Sequence, residues 1–156
     1  MSRRRRAEVR QVIPDARYGD VMLAKFINCM MLDGRRSRSE WLVYKALELC
    51  EGKLKRPPLD IFKEVVDTVR PAVEVRSRRV GGATYQVPME VADKRAVALA
   101  IRWLVAAARK DSAKNMEQRL FNVFTDTLQK RGAAFKKRED THKMAEANKA
   151  FGHFKW

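Results

Sequence analysis

Cysteine is nearly absent from this chain. Only Cys29 and Cys50 occur in 156 residues, with no CxxC spacing. That excludes a disulfide framework and a cysteine-based zinc site. Each sits in a helical pattern and reads as a reduced core thiol of a cytosolic protein. The two histidines, His142 and His153, lie eleven residues apart with no flanking cysteine, so metal ligation is not expected. No apolar run approaches the roughly 20 residues needed to span a bilayer. The basic N-terminus precedes no apolar h-region, so it is not a secretory signal. Acidic residues are also scarce, with 19 Asp+Glu against 34 Lys+Arg. The formal charge is +15. Such an excess repels itself in a compact chain, and its use is to bind a polyanion. Nucleic acid is the first candidate and an anionic membrane surface the second.

The most informative segment is Glu74 to Val91, EVRSRRVGGATYQVPMEV. Two strand-like runs flank Gly81-Gly82, a pair suited to a tight hairpin turn. Pairing across that turn sets Arg78 against Tyr85 and Arg76 against Val87. The opposite face sets Val75, Ser77 and Arg79 against Thr84, Gln86 and Pro88. Neither face is cleanly apolar, as a buried sheet requires. Pro88 lacks an N–H, which suits an edge or a free arm. The expectation is a hairpin over 73–91 that leaves the protein body, presents arginines with one aromatic, and has a mobile tip until a partner orders it.

The rest of the chain reads as about six helices, giving a mainly α fold in one domain over 1–156. Residues 1–13 form a basic arm, with Arg3, Arg4, Arg5, Arg6 and Arg10 against a single Glu8. Such a block repels itself until a polyanion neutralises it. Asp20 suits the N-cap of a first helix bearing Met22, Phe26 and Met30, with Leu23 and Ile27 beside them. Asp33-Gly34 stops it. Ser37 and Glu40 have the spacing of a capping box for a second helix. That helix carries Leu42, Ala46 and Leu49 and ends near Gly52. Pro57-Pro58 opens a third, with Leu59, Phe62, Val66 and Val69 on its stripe, and Pro71 closes it. After the hairpin, Asp93 caps a fourth helix whose buried side is Ala96, Leu99, Ala100, Trp103 and Ala107. Residues 111–115 break the pattern. Met116, Leu120, Val123 and Leu128 mark a fifth helix ended by Gly132, and a charged sixth covers much of Phe135 to Ala150.

Several basic groups qualify as RNA contacts, each beside a plainer reading. The arm would track phosphates, since arginine forks a phosphate bidentately and stacks on bases; the plainer reading is solvated charge on a loose terminus. Arg35, Arg36 and Arg38 lie in the turn before the second helix, where backbone N–H groups already favour an anion, or form an ordinary basic loop. In the hairpin, Arg76, Arg78 and Arg79 suit a groove or junction, and Tyr85 either stacks on a base or packs under an arginine stem. Arg95, Arg102 and Arg109 recur every seven residues, which lines them up on one helix side. Trp103 reads as core. Lys136, Lys137 and Arg138 continue the basic surface or cover a solvated helix end. The closing FGHFKW, with Phe151, Phe154 and Trp156, either folds back on the bundle or meets RNA or protein. No Ser/His/Asp order stands out and no GK[ST] follows Gly81-Gly82, so catalysis, a cofactor and a small-molecule substrate are not expected.

Four segments together resemble the family of ribosomal protein seven of the small subunit, in its bacterial form. They are RRRRAEVR at the N-terminus, the YGD…FIN…M..DG stretch from Tyr18 to Gly34, VRPAVEVRSRRVGGATYQVPMEV from Val69 to Val91, and the closing MAEANKAFGHFKW. The hairpin with RWLV (Arg102 to Val105) is the most specific part, and the resemblance runs end to end. It implies a helical bundle with a β-hairpin between the third and fourth helices. It also implies a primary binder of 16S rRNA that seats on the 3′ major domain, starts assembly of the 30S head and lies near the exit-site tRNA and messenger path. Small-subunit proteins nine and eleven would be neighbours. By that similarity Arg3 to Arg10, Arg35, Arg36, Arg76, Arg78 and Arg79 would contact rRNA. Arg78, Arg79, Gly81, Gly82 and Tyr85 would face the tRNA and messenger side. Two departures stand out. Many members have Pro-Arg-Arg where this chain has Asp93-Lys94-Arg95, and SRSEWLVYK at 37–45 is less typical. Rival readings are a DNA-binding architectural protein, for which no clear helix-turn-helix exists, and a repressor of its own messenger, a role known in the family. A membrane-surface role is weakest, because the basic residues form no single amphipathic stripe.

Overall fold

A computed structural model describes residues 8 and 10–154. Among them, six α-helices appear: α1 (Val21–Met30), α2 (Arg36–Leu54), α3 (Pro58–Val69), α4 (Asp93–Lys110), α5 (Met116–Leu128) and α6 (Gly132–Ala147). An antiparallel hairpin of β1 (Val73–Val80) and β2 (Ala83–Glu90) lies between α3 and α4, and a 3₁₀ turn covers Lys149–Phe154. Among these residues, no helix is long and apolar enough to cross a membrane.

The core forms where apolar stripes of α1 to α5 meet. Its centre is a triangle of fully buried rings, Phe26, Phe62 and Phe124, from α1, α3 and α5. Phe26 meets Phe62 edge-on at 5.4 Å between centroids, and Phe124 lies 5.9 Å and 6.4 Å from them. The expected stripe of α1 is present, and Asp20 caps it by accepting a bond from the Leu23 N–H at 2.8 Å. Pro58 opens α3 as expected, and Ile61 and Val65 join Phe62, Val66 and Val69 inside.

Other expectations are corrected. Asp33 and Gly34 take positive φ, so α2 starts at Arg36. Ser37 then falls inside the helix, and Glu40 is held by Arg36 at 2.7 Å, so no capping box forms. Arg36 and Arg38 therefore stand in the helix, not in a turn before it. The buried stripe of α2 is Ser39, Val43, Ala46, Leu47 and Cys50, while Leu49 is exposed. The helix runs past Gly52 and stops at Lys55, which takes the left-handed conformation. Asp93 is the first residue of α4, not its cap, and bonds Arg70 at 2.8 Å. Trp103 is half-buried against the core. Likewise α5 ends at Leu128, and Gly132, at φ 85°, opens α6. Cys29 is exposed on α1, whereas burial pushes the Cys50 thiol up to about 12.

The hairpin register is the one expected. Arg76 faces Val87, Arg78 faces Tyr85, Val75 faces Pro88, and Gly81-Gly82 turn with φ of 57° and 89°. What differs is its placement: it does not stand free. Val87 is fully buried and Glu74 nearly so. Tyr85 packs against Phe151 and Phe154, at 5.5 Å and 4.9 Å between centroids. The C-terminal turn folds back and covers the face that strand patterning left unexplained. Arg76, Ser77, Arg79, Gly81 to Thr84, Gln86 and Glu90 remain exposed.

Candidate nucleic-acid interface

The basic residues divide into braced and open ones. Glu74 is the main brace. Its carboxylate accepts from Arg95 Nε and Nη2 at 2.8 Å each and from Arg76 Nε at 2.7 Å. Arg95, and then Arg76, hold that carboxyl below its ordinary range despite burial. Arg95 thus ties α4 to the root of β1. Arg78 donates to the Phe154 carbonyl and ties the hairpin to the C-terminal turn. Arg109 reaches the Met30 carbonyl at 3.4 Å, and Arg36 bonds Glu40. Arg138 points inward, donating to the Thr68 carbonyl at 2.6 Å and lying over Phe135. It therefore does not continue the surface of Lys136 and Lys137, which are exposed.

Arg10, Arg35, Arg38, Arg79 and Arg102 are exposed, and among the described residues no ion pair engages them. Arg3, Arg4, Arg5 and Arg6, like Trp156, lie outside the described residues. The seven-residue spacing of Arg95, Arg102 and Arg109 does place them on one helix. Tertiary partners nevertheless give them different states, with only Arg102 open.

Sequence reasoning missed two features. The first is a cleft of about 1140 Å³ between α1 and α4. Its rim carries Lys25, Asn28, Lys94 and Arg102 over a floor that includes Val97 and Ile101. Lys25 and Asn28 sit three apart on the outer side of α1, a spacing that any solvated helix surface shows. The second is a knot at the root of the arm. Buried Asp15 accepts from Tyr44 Oη at 2.7 Å and from the Tyr18 N–H at 3.0 Å. Burial, then the bond to Asp15, raises the Tyr44 phenol. Asp15 and Tyr44 are 29 residues apart, so no local pattern announces the pair. The knot fixes residues 15–18 against α2.

Histidine plays a structural part: His142 Nε2 accepts from the Ala72 N–H at 3.1 Å. Among the described residues, no group of His, Cys, Asp or Glu could hold a metal ion.

A mainly helical body, a docked hairpin between its third and fourth helices, and a charge of +15 define the class: a basic protein shaped to meet a polyanion. Comparison with known proteins makes the class a family. The family described as ribosomal protein S7p/S5e matches residues 2–149. The chain is 58% identical over 156 residues to proteins named small ribosomal subunit protein uS7 from Ruegeria pomeroyi, Roseobacter denitrificans and Paracoccus denitrificans. Each alignment covers all of this chain and all of the relative. The chain belongs to the ribosomal protein S7p/S5e family.

Proposed function

We propose that this chain is a structural, non-catalytic component of the small ribosomal subunit in the cytoplasm. In this reading it binds the 3′ major domain of 16S rRNA, nucleates assembly of the 30S head, and lies near the exit-site tRNA and messenger path beside small-subunit proteins nine and eleven. The observation that carries the reading is the end-to-end identity with relatives named for the small subunit. The helical surface docks on a folded RNA junction by shape. The arm (Arg3, Arg4, Arg5, Arg6, Arg10), Arg35, Arg38, Arg79, Arg102, Lys136 and Lys137 then meet phosphates, and the Gly81-Gly82 tip reaches the tRNA side. Arg36, Arg76, Arg78, Arg95 and Arg109 contribute mainly by holding that surface in shape, and Tyr85 by docking the hairpin.

A salt titration tests this. Binding to the 3′ major-domain fragment is compared with binding to an RNA duplex of equal length. Each phosphate contact contributes about 0.9 to the log–log salt slope on a duplex and about 0.7 on single strands. The expected result is a preference for the fragment that persists as salt rises. Equal affinities that collapse together would mean charge alone drives binding and would overturn the reading.

A further inference from the structure

Helix α2 presents an aromatic side chain that the fold does not use. Trp41 is 43% exposed. Among the described residues, it is the one aromatic in the set of exposed large apolar side chains; the others are Ile13, Val21, Leu32, Leu49 and Met144. Trp103, by contrast, packs against the core. The exposure of Trp41 leaves enough apolar ring surface in water to offer a partner.

Its surroundings indicate which partner. The Arg38 guanidinium lies over the indole, 4.7 Å from the ring centroid. Arg38 and Arg35 are exposed, and among the described residues neither joins an ion pair. The carboxylates nearby on α2 are engaged: Glu40 by Arg36, and Glu48 by Arg17 and Lys45, at 2.7 to 2.9 Å. The patch is thus an indole under one open guanidinium, and the two nearest acids on the helix are already engaged. The nearest exposed apolar side chain on the helix, Leu49, lies eight residues on, roughly 12 Å along the axis. No broad apolar stripe for a helical protein partner exists there. A flat ring beside an open guanidinium matches a nucleobase and its phosphate.

We infer that Trp41, with Arg38, is a stacking site for an unpaired RNA nucleotide. The base stacks on the indole and the phosphate lies against the Arg38 guanidinium. The inference rests on the RNA-binding reading above and adds a contact that basic charge alone does not supply.

The test compares wild type, Trp41→Ala and Trp41→Phe in binding the 3′ major-domain fragment at one salt concentration. Alanine should weaken binding about tenfold, and phenylalanine should stay within about threefold, as expected for loss or retention of one stacked base. Melting temperatures should match, since Trp41 lies outside the core. Tryptophan emission should also fall when RNA is added to wild type, and part of that fall should vanish in Trp41→Phe. Unchanged affinity in Trp41→Ala, or identical quenching in wild type and Trp41→Phe, overturns the site. So does a Trp41→Ala defect confined to association with another small-subunit protein. Lack of fragment preference in wild type sinks the functional reading itself, and wild-type preference with an unaffected Trp41→Ala sinks only this site.

Discussion

The helical body and the hairpin are held together by different forces. In the body, Phe26, Phe62 and Phe124 interlock with no exposure, and the stripes of α1 and α3 are legible from their own helices. In the hairpin, one buried valine, one braced carboxylate and one aromatic clasp do the holding, and most of the partners come from remote parts of the chain. Apolar burial is strong and insensitive to charge, whereas the hairpin depends on a few directional contacts of modest strength. The hairpin is therefore the element whose position is easiest to alter without unfolding the protein.

Breaking the body should have the largest effect. Phe62→Ala removes one corner of the ring triangle and should cost about 3–5 kcal/mol, enough to unfold a marginal domain. Chemical denaturation monitored by helical circular dichroism would measure it; a loss under 1 kcal/mol would mean the core collapses around the gap. Tyr85→Ala should cost about 1 kcal/mol through its two ring contacts. Its signature is regional: faster amide exchange in β1 and β2 with α1, α3 and α5 unchanged. Uniform loss of protection would show that the clasp supports the body as well.

The smallest effect concerns His142. Burial, then the charge of Arg138, lowers its pKa, so the folded state favours the neutral ring that accepts from Ala72. As pH falls below the ordinary histidine value of about 6.5, the unfolded chain takes a proton that the folded chain resists. The stability this contact contributes is present above that value and is lost as pH falls through the lowered folded pKa. Protection of the Ala72 amide, corrected for intrinsic exchange, should thus decline in mild acid while α1 and α3 hold. A pH-independent Ala72 amide would remove His142 from the set of hairpin anchors.

The helices were legible because period 3.6 and proline or glycine punctuation act locally. The Gly81-Gly82 turn fixed the hairpin register for the same reason. Boundaries failed where one residue of shift matters. Moving the start of α2 to Arg36 took Ser37 out of the cap position, and packing against the core, not the boundary, selected Val43, Leu47 and Cys50 over Leu42 and Leu49. The candidate interface was legible as a set of cations but not as a division among them. Arg95 and Arg102 look equivalent in sequence, yet one meets Glu74 and the other meets solvent at the cleft.

Charge and composition follow from residue content alone, and helix periodicity and the turn from near-neighbour spacing, so the sequence carries them without tertiary structure; the family resemblance rests on residue order along the whole chain. Tertiary structure decided that Tyr85 packs on Phe151 and Phe154, that Asp15 anchors Tyr44, and that Trp41 stays at the surface under Arg38. The first two depend on segments 29 or more residues apart being brought together by the core. The third depends on which way α2 turns its face, and burial of Val43 and Leu47 in that core sets it.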